Sequence, residues 1–203
     1  MGRNDDLWIV GGVVILGAML TKSRDSIAWG SGWHWPVPDL IMKDGQRYTA
    51  QISQEFKPDR HRGVDVMYRR KSLTDRPDFP AGVVDGGGAK ANELWFAPQG
   101  VPILAAKDGK VWSADKISTG WRVVLDHGKP WATAYHHLAT IVDLPKGKVV
   151  KAGDQIGTMG HGPPDPEKLR HLHFEPWFNG GDSRASQDPE VIMAQWGRSS
   201  WTL

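Results

Sequence analysis

Three short stretches of this sequence carry side chains suited to metal chemistry: His61-Arg62-Gly63-Val64-Asp65, Tyr135-His136-His137-Leu138, and His171-Leu172-His173-Phe174-Glu175. Together they supply two imidazoles and a carboxylate for a metal, with two further imidazoles left to move protons. A catalytic zinc site takes three nitrogen or oxygen ligands and keeps a fourth position for water, so this set suits zinc. One stretch alone would say little, because an H-x-H pair arises by chance and a lone histidine is usually packed or solvated. The conjunction of all three carries the reading.

Further blocks accompany the histidines in a fixed order. Trp35-Pro36-Val37-Pro38 comes first, then Ala97-Pro98-Gln99-Gly100-Val101-Pro102, Asp108-Gly109-Lys110-Val111 and Val123-Val124-Leu125-Asp126-His127-Gly128. Lys151-Ala152-Gly153-Asp154-Gln155-Ile156-Gly157 precedes the final His-Leu-His-Phe-Glu. With the three histidine stretches, these blocks resemble the lysostaphin-type (LytM-like) zinc endopeptidases of bacterial peptidoglycan, over most of residues 35–178. The resemblance implies Zn2+ held by His61, Asp65 and His173, with His137 and His171 as the catalytic pair. It also implies hydrolysis of peptide cross-links in peptidoglycan. Two other readings stand beside it: a non-catalytic peptidoglycan-binding or activator module of the same fold, and a zinc D-alanyl-D-alanine carboxypeptidase. Every ligand position is filled, which favours an enzyme, and the His-x-x-x-Asp spacing with Tyr-x-His-Leu favours an endopeptidase.

The elements that must position these groups read as strands. Short apolar and β-branched runs are separated by Gly, Pro, Asp and Lys turns, which predicts a mainly β, antiparallel metallopeptidase domain. Side chains two apart on a strand share a face. His171 and His173 then look into one site, while Leu172 and Phe174 face the core. The same alternation over residues 131–138 puts Thr133, Tyr135 and His137 on one face and Ala132, Ala134, His136 and Leu138 on the other, so that His136 is a bystander. Tyr135 reads equally as a sheet-packing or a catalytic tyrosine. His127 at a strand end and His34 between two tryptophans read as structural, and His161 as a substrate-contact or supporting residue. A short C-terminal helix is expected, capped by Asp188, with Pro189 in its first turn and Gly197 closing it. Residues 67–94 and 162–170 read as long loops, solvated or walling the substrate groove.

Composition fits a compact enzyme with an appended end. The 203 residues include 25 basic and 23 acidic side chains, a net charge of +2 without a continuous basic stripe, which gives no sign of a nucleic-acid partner. The absence of cysteine excludes a cysteine nucleophile, thiolate ligands and disulfides. Among the 11 tryptophans, Trp29, Trp33 and Trp35 precede the domain and read as candidates for an envelope surface. Residues 7–20 form an uncharged apolar run. As a helix this run would span about 21 Å against a hydrocarbon core of about 30 Å. We read it as an N-terminal hydrophobic helix acting as an anchor or signal. The division is thus residues 1–34, hydrophobic segment and linker, and residues 35–203, zinc endopeptidase domain. The place of action is a bacterial cell envelope, membrane-anchored or periplasmic, or a phage virion.

Overall fold

Branched and aromatic runs punctuated by glycine and proline give short strands joined by tight turns. The structure, a computed structural model, describes residues 29–75, 77–81, 94–162, 170–179 and 185–203. The described strands are β1 (Asp39–Ile41), β2 (Arg47–Tyr48), β3 (Ala50–Gln54), β4 (Val64–Arg69), β5 (Trp95–Phe96), β6 (Pro102–Leu104) and β7 (Gly109–Ile117). They continue with β8 (Gly120–Asp126), β9 (Trp131–Ile141), β10 (Val149–Val150), β11 (Gln155–Met159), β12 (Leu172–Phe178) and β13 (Ser200–Thr202). From Gly32 onward the chain forms one compact unit.

The main sheet has ten strands, with the path β10-β7-β8-β9-β12-β4-β3. All of its pairings are antiparallel, as the short turns require. Strand β9 changes partner along its length. Trp131 to His136 pair with β12, whereas Leu138 to Ile141 pair with β11, which in turn pairs with β6. The core face of the sheet carries Val123, Leu125, Tyr135, Leu172 and Phe174, all fully enclosed. Each such large apolar side chain contributes about 1.5–3 kcal/mol relative to exposure.

A second sheet, β13-β1-β2, joins the two ends of this unit, with β1 and β13 parallel. Trp33 stacks on Trp196 at 4.8 Å between ring centroids, and the Trp35 indole N–H donates to the Met193 carbonyl at 2.6 Å. Both tryptophans are buried, so they pack the core and are not offered to an envelope surface. The segment expected to be a free loop from residue 67 also begins inside the sheet. Met67 to Arg69 belong to β4, and Arg70 is buried over the Phe96 ring. Asp75 then accepts from the Tyr48 hydroxyl at 2.7 Å and from the Lys71 backbone N–H at 2.8 Å.

The C-terminal helix is present but short. Helix α1 (Glu190–Met193) is one turn long, and its N-cap is Pro189, not the expected Asp188, because the chain already turns helical at Pro189; Asp188, one residue earlier, accepts the Glu190 N–H at 2.9 Å. Gly197 pairs with His34 in a parallel bridge and does not close the helix directly. The apolar run 7–20 lies outside the described residues. No helix among the described residues is long and apolar enough to cross a membrane.

Candidate active site

Three adjacent strands set the site's central row. His173 on β12 lies directly opposite Asp65 on β4 and, on its other side, opposite His136 on β9. Directly opposed residues of antiparallel strands share a face, with Cβ atoms about 4.5–5.5 Å apart. His61 joins from the turn before β4, held by its bridge to Lys57 and by its Nδ1, 2.8 Å from the Glu55 carbonyl oxygen.

The hydrogen bonds around this row assign the donor atoms. A carbonyl only accepts, so His61 Nδ1 carries a proton and its Nε2 presents a lone pair. Burial works against charge on Glu175, but hydrogen bonds from His173 and Trp177 outweigh it and hold the carboxyl below its usual range. Ionised Glu175 therefore accepts from His173 Nε2 at 3.0 Å, which leaves His173 Nδ1 as the other free nitrogen. His173 Nδ1 stands 3.0 Å from His61 Nε2 and 2.9 Å from Asp65 Oδ1, and His61 Nε2 is 3.0 Å from the same oxygen. Three acceptor atoms thus converge, and a proton or a cation must sit among them. Left to itself the cluster takes a proton: burial opposes it, yet Asp65 and Glu175 raise His173 to about 9. The spacing also fits a metal, since four tetrahedral bonds of about 2.0–2.1 Å place ligand atoms about 3.3 Å apart. His61, Asp65 and His173 are the one such group among the described residues.

His137 and His171 lie beside this group with ring centroids 4.9 Å apart, and His137 is 6.0 Å from His173. His171 Nε2 is 3.7 Å from Asp65 Oδ2. His137 reaches the site by a route that strict alternation does not predict. Trp121 and Val123, two apart on β8, face Leu138 and Tyr135, three apart on β9, so β9 holds an extra residue there. His137 takes it up with φ of +63°, a left-handed conformation unusual for a residue other than glycine. The bulge turns His137 away from the face of Tyr135 and toward His171. It also corrects the place of His136, which alternation put on the opposite face. His136 shares the face of His173, with rings 5.3 Å apart and its Nε2 3.7 Å from Glu175 Oε1.

Tyr135, His127 and His34 serve packing and hydrogen bonding within the fold. Tyr135 is fully buried on the core face, against Phe174, and accepts the Ala106 N–H at 2.7 Å. Of its two readings, the structure supports sheet packing. His127 spans the Asp108 carbonyl at 2.9 Å and the Thr133 hydroxyl at 2.8 Å, and His34 Nδ1 lies 2.7 Å from the Trp35 carbonyl. His161 bridges Arg170 and lines a cavity with Thr119 and Trp121.

Two glycines escaped the sequence reading. A Cβ on Gly63 would stand 2.9 Å from both His173 Nε2 and Glu175 Cγ, and one on Gly162 would collide with the His171 ring. Both positions admit an imidazole only because no side chain occupies them. The signal for Gly63 was its place inside His-x-Gly-x-Asp.

An antiparallel β domain with a His-Asp-His cluster and an adjoining histidine pair defines a metallopeptidase-like site. Residues 93–196 match Peptidase family M23, and the chain belongs to that family. The match takes in His136, His137, His171 and His173, whereas His61 and Asp65 lie before it. The chain is 37% identical over 115 residues to the cell division protein DipM of Caulobacter vibrioides, covering 54% of this chain and 18% of DipM. It is 31% identical over 147 residues to the peptidoglycan DD-endopeptidase ShyA of Vibrio cholerae, covering 68% of this chain and 32% of ShyA. It thus spans less than a third of either relative. A zinc-containing peptidase from Vibrio cholerae shares the fold with a TM-score of 0.50 and 24% identity, over 78% of this chain and 39% of that one.

Proposed function

We propose that the chain hydrolyses peptide cross-links in bacterial peptidoglycan, with Zn2+ held by His61 Nε2, Asp65 and His173 Nδ1. The observation that carries this reading is the convergence of three acceptor atoms within about 3 Å of one another, flanked by a pair of histidines. A bound zinc would supply a lowered pKa for a coordinated water and a polarised scissile carbonyl. The substrate class rests on family membership and on likeness to a peptidoglycan endopeptidase. Action at the cell envelope, with residues 7–20 as its membrane attachment, belongs to the same proposal.

The chain's own groups supply the proton transfers. Burial, then the neighbouring His171, depress His137 to about 4, so that it is neutral at pH 7 and can accept a proton. Its Nδ1 lies 3.3 Å from the Thr119 carbonyl, which assigns the proton to Nδ1 and leaves Nε2 as the basic atom. His171, beside both His137 and Asp65, is placed to donate to a developing oxyanion or to the leaving amine.

The test is digestion of purified peptidoglycan, with and without a chelator, followed by product masses. Chelator-sensitive release of peptides cut between cross-linked stems supports the proposal. Intact cross-links after exhaustive digestion with zinc-loaded protein would refute it.

A further inference from the structure

In the proposed function His61, Asp65 and His173 hold the metal, with His137 and His171 beside it. His136, opposite His173 in the same row, takes no part in that chemistry. Its Nε2 is enclosed and has no hydrogen-bond partner among the described residues. The nearest charged atom is Glu175 Oε1 at 3.7 Å, the oxygen that accepts from His173 Nε2. The other oxygen, Oε2, accepts from the Trp177 indole N–H at 2.7 Å and from the Ser186 hydroxyl at 3.1 Å. One side of the carboxylate is therefore fully engaged, and the other is bounded by His136. The His136 ring also stands edge-on to His173, 5.3 Å away with an interplanar angle of 82°.

We propose that His136 is a positioning residue for His173, fixing its ring by edge contact and by directing an Nε2–H at Glu175 Oε1. This rests on the zinc reading above. Glu175 sets the tautomer of His173 by accepting the hydrogen bond from its Nε2–H, so that Nδ1 is free for the metal; such outer partners usually govern metal affinity by about 10- to 100-fold. Apart from His173 itself, the hydrogen bonds above hold Glu175 at Oε2, so its Oε1 and the imidazole it orients can shift together. His136 closes that freedom from the neighbouring strand. Its Nε2 is less than about 1 Å beyond hydrogen-bond length of Oε1. Because Nε2 has no hydrogen-bond partner among the described residues, forming this bond removes a desolvation penalty as well.

The experiment uses the full chain and three variants, His136→Ala, His136→Gln and His136→Leu. Zinc affinity is measured by competition with a chromophoric chelator, and the melting temperature of the metal-stripped protein is measured alongside. We expect His136→Ala to bind zinc about 10- to 100-fold more weakly. Gln, whose amide nitrogen can take the place of Nε2, should recover most of the loss. Leu, which fills the space without a donor, should recover stability but not zinc affinity. Unchanged zinc affinity in His136→Ala would overturn the proposal, as would recovery by Leu equal to that by Gln. If Ala fails to fold, the Gln and Leu comparison still decides. A wild-type chain that takes up no zinc would instead overturn the functional reading, and this inference with it.

Discussion

Gly63 backs directly onto His173: a methyl group added to its α-carbon would stand 2.9 Å from the His173 Nε2 and would also run into the Phe174 carbonyl oxygen. The backbone oxygen belongs to a central strand and cannot yield. Gly63→Ala should therefore push β12 from β4, weaken zinc binding at least about tenfold and lower stability by about 1–3 kcal/mol. Chelator competition and urea unfolding measure both. Wild-type values in each would show that the His61–Asp65 turn tolerates the displacement.

Much of this site was legible because its groups fall in short motifs. His171 and His173 sit two apart on one strand, and Leu172 and Phe174 are fully buried between and beyond them, as alternation requires. Alternation failed at Tyr-His-His-Leu. Tyr135 and Leu138 lie three apart, which a regular strand would put on opposite faces, yet both pair with residues two apart on β8. That extra residue is set by pairing across the sheet, and it decides which face His136 and His137 adopt. Pairings across the whole chain left no trace in the sequence either. Asp39 and Arg198 are 159 positions apart, and only the parallel pairing of β1 with β13 brings them together.

The strain at His137 separates stability from activity. A left-handed residue other than glycine is disfavoured by roughly 1 kcal/mol. His137→Gly should therefore be about 1 kcal/mol more stable than His137→Ala. Both variants should keep zinc and lose about 10²- to 10⁴-fold in cross-link cleavage, the usual contribution of a general acid or base. Loss of zinc from either variant would make His137 a ligand and contradict the division of roles.

Asp39 tests the second sheet. Burial opposes its charge, but hydrogen bonds from Arg198 and Arg47 prevail and hold its carboxyl below the usual range. Arg198 is the better buried partner, with 25% side-chain exposure against 55% for Arg47, and its guanidinium also lies 4.0 Å from the Trp35 ring centroid. Arg198→Ala should destabilise by about 2–4 kcal/mol and Arg47→Ala by less than about 1 kcal/mol. The folded carboxyl titrates below its unfolded value, so this stabilisation is complete above about pH 4 and disappears as pH falls through the folded value. Equal losses in the two variants, measured by urea unfolding at pH 7, would contradict the account.

His127 makes a second acid-sensitive point. Burial is the main cause that lowers it from 6.5 to about 4, against the opposing bond to the Asp108 carbonyl. The unfolded chain then binds a proton that the folded chain refuses, so stability falls as pH drops from about 6.5 toward 4. Between pH 7.5 and 5 this one group accounts for about 2 kcal/mol. His127→Gln should show a correspondingly smaller drop than wild type over that interval. An identical drop in both proteins would assign the acid sensitivity elsewhere.

The central claim is that His61, Asp65 and His173 hold one zinc, and elemental analysis of the purified chain tests it most directly. After zinc addition and exhaustive dialysis, the wild-type chain should retain close to one zinc, and Asp65→Ala and His173→Ala should retain almost none. A wild-type chain that emerges metal-free, or variants that keep the full complement, would contradict it.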